Sequence, residues 1–360
     1  MKKILCLTDG FTLGGAERQL IGLAHLLKER GYIVDLACYH NKNFYTKLIS
    51  QYNLNCITLT PNGRLGKITV VKSLITENNY DYVIAYKNGA TIIVSILKLL
   101  GLKAKVIVSE RNTTQVLSFR ERLKFGLYRF ADYIVPNSFS QEKFLLNHYP
   151  AYRDKVITIT NFTDISTFCP ALYYKKSEKI EIIIAGRIAE QKNILRFLSV
   201  LRKIKEQSLP LHFKWFGNVS AGEGEYQKKV LHTLHKYAIE DIIEFLPATK
   251  DIKKEYQQCD AFCLPSLYEG YPNVVCEAMS CAKPILCSNV CDNPFIVQEG
   301  RNGFMFDPTN EDSMFFAFLK FSKLSIKERI AMGDVSRGIA VDKFSEKAFV
   351  DKYIQLIEKV

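Results

Sequence analysis

The sequence lacks the features that define several large classes of protein. It has no apolar stretch of 18 residues, so it predicts no membrane-spanning helix. Its 10 cysteines include no Cys-x-x-Cys pair and no spacing typical of metal ligands. Thiols without a disulfide framework are typical of the reducing cytoplasm, so we expect a cytoplasmic protein without a metal. The apolar run near the start, Ile4–Leu7, is broken at Thr8, so it is too short for a secretion signal and predicts a buried strand.

Cofactor and nucleic-acid motifs are missing as well. The glycines near the start do not follow Gly-x-Gly-x-x-Gly, which counts against a nicotinamide or flavin cofactor. No segment matches a nucleic-acid reading motif. The net charge is nevertheless +12, and residues 1–170 hold 22 Lys and Arg against 12 Asp and Glu. This basic half predicts an anionic membrane surface or phosphorylated lipid as partner, rather than nucleic acid. A solvated surface with biased charge is the alternative.

Apolar runs of strand length alternate with helical patterns along the chain. A length of 360 residues suits two domains, and repeated βαβ units predict parallel sheets covered by helices. We therefore predict an α/β protein of two Rossmann-like domains around a cleft. The predicted domains are residues 1–170 and 171–343, followed by a helix at 344–360 that packs back toward the first domain. The polar segment Tyr173–Lys179 is the predicted linker.

The predicted strands indicate where ligand-binding loops are expected. In the first half they are Ile4–Thr8, Ile33–Ala37, Cys56–Leu59, Tyr82–Ala85, Val106–Ser109 and Tyr133–Pro136. In the second half they are Ile180–Ala185, Phe213–Phe216, Ile242–Phe245, Ala261–Leu264 and Pro284–Cys287. Ligands of doubly wound sheets bind at the loops that follow the strands. Glycine-rich and polar segments after these runs are therefore the candidates for a site.

Two such segments offer phosphate-binding chemistry. Gly14 and Gly15 follow the first strand and open a helix, where a close backbone and free N–H groups favour phosphate. Gly186 follows the first strand of the second half, and Arg187 and Lys192 come directly after it. An arginine fork and a lysine charge can neutralise a diphosphate and stabilise a departing nucleotide. A flexible turn and ordinary surface cations would explain the same residues.

The most specific segment runs from Glu269 to Glu277. Gly270 and Pro272 interrupt the chain after a strand, so a helix is expected to begin near Pro272 or Asn273. Glu269 then lies in the loop, and Glu277 lies about one turn into the helix. One of the two carboxylates would accept a hydrogen bond from a sugar hydroxyl. The other would accept hydrogen bonds from the two hydroxyls of a ribose. An acid placed favourably near a helix N-terminus is the alternative for Glu277.

Together these segments resemble the retaining glycosyltransferases of family 4, which have the GT-B architecture. The segments in that family's order and spacing are Gly14-Gly15-Ala16-Glu17, Gly186-Arg187 with Lys192, Pro265-Ser266, and the Glu269 and Glu277 pair. Pro136-Asn137-Ser138 resembles the family's Asn-Ser segment at the end of the last strand of the first domain. The resemblance extends roughly from Lys3 to Pro308.

The resemblance implies a donor site for a nucleotide sugar, with UDP as the expected nucleotide. Arg187, Lys192 and Glu269 are the implied catalytic residues, with the two cations on the diphosphate and Glu269 on the sugar. The implied donor-binding residues are Gly14, Gly15, Gly186, Asn193, Leu246, Gly270, Tyr271, Pro272, Asn273, Val274 and Glu277. The family typically needs no metal or cofactor. Its same-face mechanism retains the anomeric configuration with the departing phosphate as base, so no protein nucleophile is required.

The implied acceptor is a glycan or a lipid-linked glycan, as in bacterial polysaccharide, lipopolysaccharide or capsule biosynthesis. One loop departs from the family. Many members carry a His or Asp after the fourth or fifth strand, near the reacting centre, whereas this chain has Ser109-Glu110-Arg111-Asn112. That role is therefore not transferred to this loop. The predicted contacts to the acceptor or sugar are Glu110, Arg111 and Asn137.

The segment Phe119–Phe130 mixes aromatic residues with cations. On a helix it would form one apolar face flanked by the cations, comprising Phe119, Leu123, Leu127 and Phe130. Such a face suits the surface of an anionic membrane, although an ordinary domain helix with a solvated side is the alternative. Together with the basic first half, the segment predicts a cytoplasmic enzyme bound peripherally at the inner face of the cell membrane.

Three other functions are weighed against glycosyl transfer. A nucleotide-sugar 2-epimerase would use the same architecture but needs an acid and base set that the sequence does not show. A non-catalytic protein that binds nucleotide sugars is disfavoured by the intact set Arg187, Lys192, Glu269 and Glu277. A nucleic-acid binder is suggested only by the charge. Glycosyl transfer is therefore the predicted activity.

Overall fold

The computed structural model describes residues 1–12, 14–40, 44–171, 179–219 and 222–359. These residues form two compact units, Met1–Asn161 with Glu346–Val360 and Phe162–Ser345. The predicted linker Tyr173–Lys179 lies outside the described residues, apart from Lys179. Each unit has its own parallel sheet and its own core.

A six-stranded parallel sheet forms the centre of the first unit. Its strands are β1 (Lys3–Thr8), β2 (Ile33–Cys38), β3 (Asn55–Thr58), β4 (Tyr82–Tyr86), β5 (Lys105–Glu110) and β6 (Tyr133–Pro136), in the order β3-β2-β1-β4-β5-β6. Its helices are α1 (Gly15–Glu29), α2 (Thr46–Gln51), α3 (Gly63–Glu77), α4 (Asn88–Leu99), α5 (Phe119–Leu127) and α6 (Phe139–His148). The run Ile4–Leu7 is fully buried, as expected of a parallel strand covered on both faces.

The second unit repeats this design. Its strands are β7 (Ile180–Ala185), β8 (Leu211–Phe216), β9 (Ile243–Leu246), β10 (Ala261–Leu264), β11 (Ile285–Ser288) and β12 (Gly303–Phe306), in the order β12-β11-β10-β7-β8-β9. Its helices are α7 (Ile194–Glu206), α8 (Gly224–Tyr237), α9 (Ile252–Gln258), α10 (Asn273–Ser280), α11 (Asn293–Ile296), α12 (Glu311–Ser322) and α13 (Ile326–Lys343). The two doubly wound sheets confirm the predicted α/β fold class.

Strand β12 is the strand that the sequence did not predict. It lies at the edge of the sheet, paired with β11 from Ile285 opposite Gly303 to Ser288 opposite Phe306. Its two middle residues are only partly buried. A four-residue edge strand that begins with glycine therefore lacks the continuous buried run that marks the central strands.

The division between the units falls earlier than the predicted boundary at residue 170. Residues after β6 still run beside the first sheet, since the Ile159 N–H donates to the Pro136 carbonyl at 3.1 Å. From residue 162 onward the chain contacts the second unit. The Thr163 N–H donates to the Phe344 carbonyl at 2.8 Å, and Arg337 Nη1 donates to the Ile165 carbonyl at 3.1 Å.

The final helix, α14 (Glu346–Glu358), belongs to the first unit. Its carbonyl at Ile357 accepts hydrogen bonds from Lys2 Nζ at 2.6 Å and Tyr82 Oη at 2.8 Å. The hydroxyls of Tyr86 and Tyr353 share a buried hydrogen bond of 2.9 Å. The helix thus completes the first unit after the chain has passed through the second.

Local sequence signals define several helix starts. Ser325 and Glu328 form a capping box at the start of α13. Ser138 caps α6, because its hydroxyl accepts a hydrogen bond from the Gln141 N–H at 3.2 Å. Over the described ranges, no helix combines the length and apolarity needed to cross a membrane.

Candidate active site

The carboxyl ends of two central strands bring the predicted donor motifs together. In the second unit the chain direction across the sheet changes between β7 and β10, where Ile182 lies opposite Ala261. Ligands of doubly wound folds bind at such a switch point. The segment Gly186–Asn193 follows β7, and Pro265–Pro272 follows β10. Both motifs therefore lie at one edge of the second sheet.

An ion pair joins these two segments. Lys192 Nζ donates a hydrogen bond to Glu269 Oε1 at 2.6 Å, and each side chain is 11% exposed. The backbones are joined as well. The Leu267 N–H donates to the Gln191 carbonyl at 2.9 Å, and Gln191 Nε2 donates to the Tyr268 carbonyl at 2.8 Å. Each buried charge is thus neutralised by the other, so an anionic ligand would compete with Glu269 for Lys192.

Gly186 leaves room for the Lys192 side chain. A Cβ atom on Gly186 would lie 3.0 Å from Lys192 Cε. The Gly186 carbonyl accepts a hydrogen bond from Trp215 Nε1 at 2.8 Å, which fixes this peptide at the end of the strand. A side chain here would press on Lys192, so glycine leaves room for that lysine in addition to any close approach of a ligand.

Asn193 shapes the start of α7. It has a φ of 58°, in the left-handed region that asparagine tolerates. Its Nδ2 donates to the Pro308 carbonyl at 2.8 Å, and its Oδ1 accepts a hydrogen bond from Arg196 at 2.9 Å. The side-chain amide is thus already bonded inside the second unit, and this geometry does not support direct donor binding by Asn193.

Arg187 and Leu246 differ in their placement. Arg187 is exposed in the loop after β7, and no acid of the described residues forms an ion pair with it. Its guanidinium is therefore available to a diphosphate. Leu246 is half-buried at the end of β9, two strands from β7, where its carbonyl accepts a hydrogen bond from the Gly217 N–H at 2.9 Å. It lies on the same sheet edge but away from the switch point.

Helix α10 begins at Asn273, with Pro272 in an extended conformation at its N-cap. Tyr271 before it is buried, with its ring centroid 5.8 Å from that of Phe344. Glu277 lies in the second turn, where it is 4% exposed and accepts a hydrogen bond from the Tyr256 hydroxyl at 3.4 Å. The other predicted donor-binding residues of this motif are half-buried, namely Gly270, Asn273 and Val274.

Two buried polar atoms at this edge lack hydrogen-bond partners among the described residues. They are Ser266 Oγ, after β10, and Asn293 Oδ1, after β11, and both residues are 0% exposed. Buried polar atoms are seldom unpaired in folded proteins. This edge of the sheet would therefore accept polar groups of a ligand. Asn293 was not predicted, because a lone asparagine after a strand has no distinguishing pattern.

The first sheet has its own switch point, between β1 and β4, where the Gly14 and Gly15 turn begins α1. A Cβ atom on Gly14 would lie 2.5 Å from Glu17 Oε2. Glu17 is 3% exposed, and its Oε1 accepts a hydrogen bond from Thr12 Oγ1 at 2.7 Å. Gly14 thus makes room for a buried carboxylate, a role that the predicted phosphate contact did not include.

Lys87 is a candidate functional residue that the sequence did not predict. It directly follows β4 and has φ 70° and ψ 156°, a conformation almost confined to glycine. Its Nζ forms an ion pair with Glu17 and lies 3.3 Å from Thr12 Oγ1. Beside it, the Asp9 carboxylate accepts hydrogen bonds from the N–H groups of Gly89, at 3.2 Å, and Ala90, at 2.7 Å. The position of Lys87 directly after a central strand is the one sequence signal that could have identified this lysine.

Glu110 and Arg111, which were predicted to contact the acceptor or sugar, are bonded inside the first unit. Glu110 is 2% exposed and pairs with Lys124 Nζ at 2.9 Å. Burial beside Glu110 raises the pKa of the Tyr128 hydroxyl well above its ordinary value. Arg111 donates to Asn161 Oδ1 at 3.0 Å and to the Tyr353 hydroxyl at 2.6 Å. Both charges are thus engaged within the first unit.

Asn137, the third of these predicted contacts, is placed differently. It follows β6 and is 4% exposed, and its Oδ1 has no hydrogen-bond partner among the described residues. The next residue, Ser138, caps α6. Asn137 therefore retains an unused acceptor at the edge of the first sheet where ligands are expected.

The predicted helix over Phe119–Phe130 is shorter in the structure. Helix α5 ends at Leu127, and Phe130 falls in the following 3₁₀ turn. Phe119 and Leu123 are 74% and 57% exposed, whereas Leu127 and Phe130 are only partly exposed. The buried face carries Phe125 and the ion-paired Lys124 instead. Phe130 therefore lies outside the helix that the predicted four-residue face requires, whereas Phe119, Leu123 and Leu127 lie within it.

Comparison with known families matches both halves of the chain. The model described as Glycosyl transferases group 1 matches residues 173–338. The model described as Glycosyltransferase Family 4 matches residues 13–167. The chain therefore belongs to the family 4 glycosyltransferases, which confirms the predicted family.

Individual relatives agree with this assignment. An uncharacterized glycosyltransferase of Haemophilus influenzae is 28% identical over 314 residues, covering 84% of both chains. An α-1,4-N-acetyl-D-galactosaminyltransferase of Campylobacter jejuni, named for a PP-undecaprenol-linked glycan, is 24% identical over 78% of this chain and 77% of its own. The crystal structure of Anabaena HepE in complex with UDP superposes with a TM-score of 0.86 at 18% identity, over 100% of both chains. The structural likeness supports the GT-B fold.

Proposed function

We propose that this protein transfers a hexose or N-acetylhexosamine from a UDP sugar to a lipid-linked glycan, with retention of the anomeric configuration. The observation that carries the proposal is the Lys192–Glu269 ion pair, which unites two donor motifs at the switch point of the second sheet. UDP is chosen because the similar HepE structure holds it. The lipid-linked acceptor follows the name of the Campylobacter relative.

The site residues fit a mechanism in which the leaving group itself is the base. A UDP diphosphate would displace Glu269 from Lys192 and also engage the exposed Arg187. Both cations would then stabilise the negative charge that develops as the sugar bond breaks. The released Glu269 carboxylate would accept a hydrogen bond from a hydroxyl of the transferred sugar. The acceptor hydroxyl would attack from the face that UDP leaves, so no metal and no protein nucleophile are required in the proposed reaction.

The proposed setting is biosynthesis of a cell-surface polysaccharide at the inner face of the membrane. The supporting observations are the positive charge of residues 1–170 and a relative named for amylovoran biosynthesis in Erwinia amylovora, 23% identical over 82% of this chain. A lipid-linked acceptor places its diphosphate at the membrane surface. A peripheral enzyme with a basic acceptor-binding half suits that location.

The donor site is tested by nucleotide-sugar binding and turnover. We expect a UDP sugar to stabilise the wild type thermally and to be consumed in the presence of a lipid-diphosphate glycan. Lys192→Ala and Glu269→Gln should each lower kcat/KM by about 100-fold or more, because each removes a group that acts on the leaving nucleotide or sugar. Lys203→Ala is the matched control, since Lys203 is a partly exposed, ion-paired lysine of the same unit, in the last turn of α7.

Several results would contradict the proposal. Full activity of both variants would remove Lys192 and Glu269 from the site. Loss of all activity on chelation of divalent metals would contradict the metal-free mechanism. An inverted anomeric proton signal in the product spectrum would contradict retention. Release of UDP and an epimerised sugar without an acceptor would instead indicate a 2-epimerase, and donor binding without turnover would indicate a non-catalytic protein.

A further inference from the structure

An apolar ridge projects from the first unit around the start of α5. Val116, Phe119 and Leu123 are 75%, 74% and 57% exposed, and we call these three residues the Phe119 ridge. Phe119 and Leu123 are four residues apart on the helix, so their side chains lie one above the other on a single face. Val116 lies just before the helix, where its carbonyl accepts a hydrogen bond from the Ser118 N–H at 3.0 Å. Three large apolar side chains thus face solvent within one short segment of the chain.

The ridge cannot turn inward, because the opposite face of α5 is fixed in the core. Phe125 is 0% exposed, with its ring centroid 5.7 Å from that of Tyr128 and 6.3 Å from that of Phe144. Lys124, on the same side, is held by its buried ion pair with Glu110. The exposure of the ridge is therefore a property of the folded helix.

The ridge is flanked by positive charge. At about 100° per residue, Arg120 and Arg122 fall on opposite sides of the line from Phe119 to Leu123, and both arginines are exposed. The one acid of the helix, Glu121, is turned toward the protein, where it bonds the Ser118 hydroxyl and lies 3.8 Å from Lys124 Nζ. An apolar strip between two arginines is complementary to a lipid surface with anionic headgroups.

The ridge is also held at the ligand-binding edge of the first sheet. The loop that carries Val116 follows β5, and α5 begins on that side. Two hydrogen bonds tie the loop to α6, from the Thr114 N–H to Gln141 Oε1 at 2.8 Å and from Gln141 Nε2 to Thr114 Oγ1 at 3.2 Å. A surface that docks here would bring membrane-bound molecules to the edge that carries Lys87 and Asn137.

We propose that the Phe119 ridge docks this protein on an anionic bilayer. Val116, Phe119 and Leu123 enter the boundary between headgroups and acyl chains, and Arg120 and Arg122 contact headgroup phosphates. The inference deepens the proposed function, on which it rests for the lipid-linked acceptor. Docking itself is measured without any acceptor, so its failure is distinguishable from failure of the proposed reaction.

Co-sedimentation of the whole protein with vesicles tests the proposal. Vesicles of phosphatidylglycerol and phosphatidylcholine in equal parts are compared with pure phosphatidylcholine vesicles at physiological salt. We expect the wild type to bind the mixed vesicles, and Phe119→Ser/Leu123→Ser to lower the partition coefficient by about 100-fold, or about tenfold per side chain. Arg120→Gln/Arg122→Gln should lower it by about 25-fold on mixed vesicles and much less on neutral ones.

A matched control uses the same two residue types on the second unit. Phe316→Ser/Leu231→Ser removes side chains that are 55% and 42% exposed, and it should leave vesicle binding unchanged. All variants should keep the melting temperature of the wild type and its UDP-sugar hydrolysis, because the substituted residues are exposed and lie outside the donor site.

Three outcomes would overturn the proposal. The wild type could stay in the supernatant with mixed vesicles. The ridge variant could bind as well as the wild type. Sedimentation without lipid could show that the wild type forms a dimer and that the ridge variant does not, while vesicle binding is unchanged. The ridge would then be a contact between two copies of the chain.

Discussion

Lys87 joins a glycine-like backbone conformation to a side chain that neutralises a buried acid. Non-glycine residues in this region of φ and ψ cost about 1–3 kcal/mol each and cluster at functional sites. Here the surrounding contacts enforce it. Gly89, two residues later, has no room for a Cβ atom, which would lie 2.5 Å from Asp9 Oδ1. The first turn of α4 is therefore packed closely against Asp9, and Lys87, directly before it, pairs with Glu17.

We expect Lys87→Met to destabilise the first unit by about 1–3 kcal/mol. The substitution leaves the Glu17 carboxylate 3% exposed without its cation, and methionine keeps the strained backbone. The double variant Lys87→Met/Glu17→Gln should recover most of the loss, because the buried charge is then gone. Urea unfolding measures both free energies, and hydrogen exchange in α1 and α4 assigns the change to this unit. Equal stability of the single variant and the wild type would show that Thr12 alone satisfies Glu17.

Single residues of the site were predictable only where they belong to a motif. Arg187, Lys192 and Glu269 stand in short segments directly after buried strands, so their place at the edge of the second sheet followed from local pattern, while their roles were implied by the family resemblance. The pair of Glu17 with Lys87 joins positions 70 residues apart, and no local pattern connects them. Glu110 was predicted to contact the acceptor or sugar because its loop stands where many members of the family carry a His or Asp. Its partner Lys124 lies within an amphipathic segment, where a lysine is normally taken as exposed.

At the scale of elements, helix α13 shows how closely two segments of the second unit approach. Gly333 lies where a Cβ atom would overlap the carbonyl oxygen of Ala282, a residue with φ 58° just after α10. Gly338, five positions later in the same helix, faces open space, and a Cβ atom added there would meet no neighbouring group within 4 Å. One glycine is thus required by packing, and the other is simply a poor helix former.

These two glycines allow a matched test. We expect Gly338→Ala to stabilise the protein by about 0.5–1 kcal/mol, because alanine has the higher helix propensity and meets no obstruction. Gly333→Ala should destabilise it by about 1–3 kcal/mol, because α13 must move away from Ala282 to accommodate the methyl group. Differential scanning calorimetry measures both shifts. The packing interpretation fails if both alanines change the melting temperature in the same direction.

Helix α5 shows why pattern alone misplaced an element. Apolar residues at Phe119, Leu123 and Leu127 have helical spacing, which predicted one face continuing to residue 130. The structure buries the other side, where Phe125 and Lys124 pack on the sheet, and ends the helix at Leu127. The helical period was correct for Phe119 and Leu123, which are exposed, but the helix ends before the predicted face reaches Phe130. Exposure of the first two apolar residues is what makes the ridge available to a lipid surface.

At the scale of the whole molecule, repeated βαβ units predicted the fold class and eleven of its strands, because central parallel strands are continuous buried runs. The edge strand β12 and the boundary at residue 161 escaped prediction, since both depend on partners distant in sequence. The closing helix α14, for which the sequence predicted a helix at 344–360, also depends on partners distant in sequence. Five of its side chains are buried in the first unit, namely Phe349, Val350, Tyr353, Leu356 and Ile357.

Deletion of residues 346–360 should therefore unfold the first unit and spare the second. Burying five large side chains contributes roughly 7–15 kcal/mol at about 1.5–3 kcal/mol each, which equals the total stability of a typical domain. The deletion also removes the Tyr353 hydroxyl, which forms hydrogen bonds with Arg111 and with the Tyr86 hydroxyl. Hydrogen exchange should show loss of protection in β1–β6 and retention in β7–β12.

A control separates loss of packing from loss of surface charge in this helix. Lys347 is 80% exposed and pairs with Asp351 at 2.9 Å, so Lys347→Ala should change stability by less than about 0.5 kcal/mol. The effect of Tyr353→Phe on stability should lie between those of the deletion and of Lys347→Ala. We expect a loss of about 1–2 kcal/mol, because the substitution removes one buried hydroxyl but keeps the ring. Protection of β1–β6 in the truncated chain would mean that the first unit folds without its last helix, and that α14 is attached to a structure already complete.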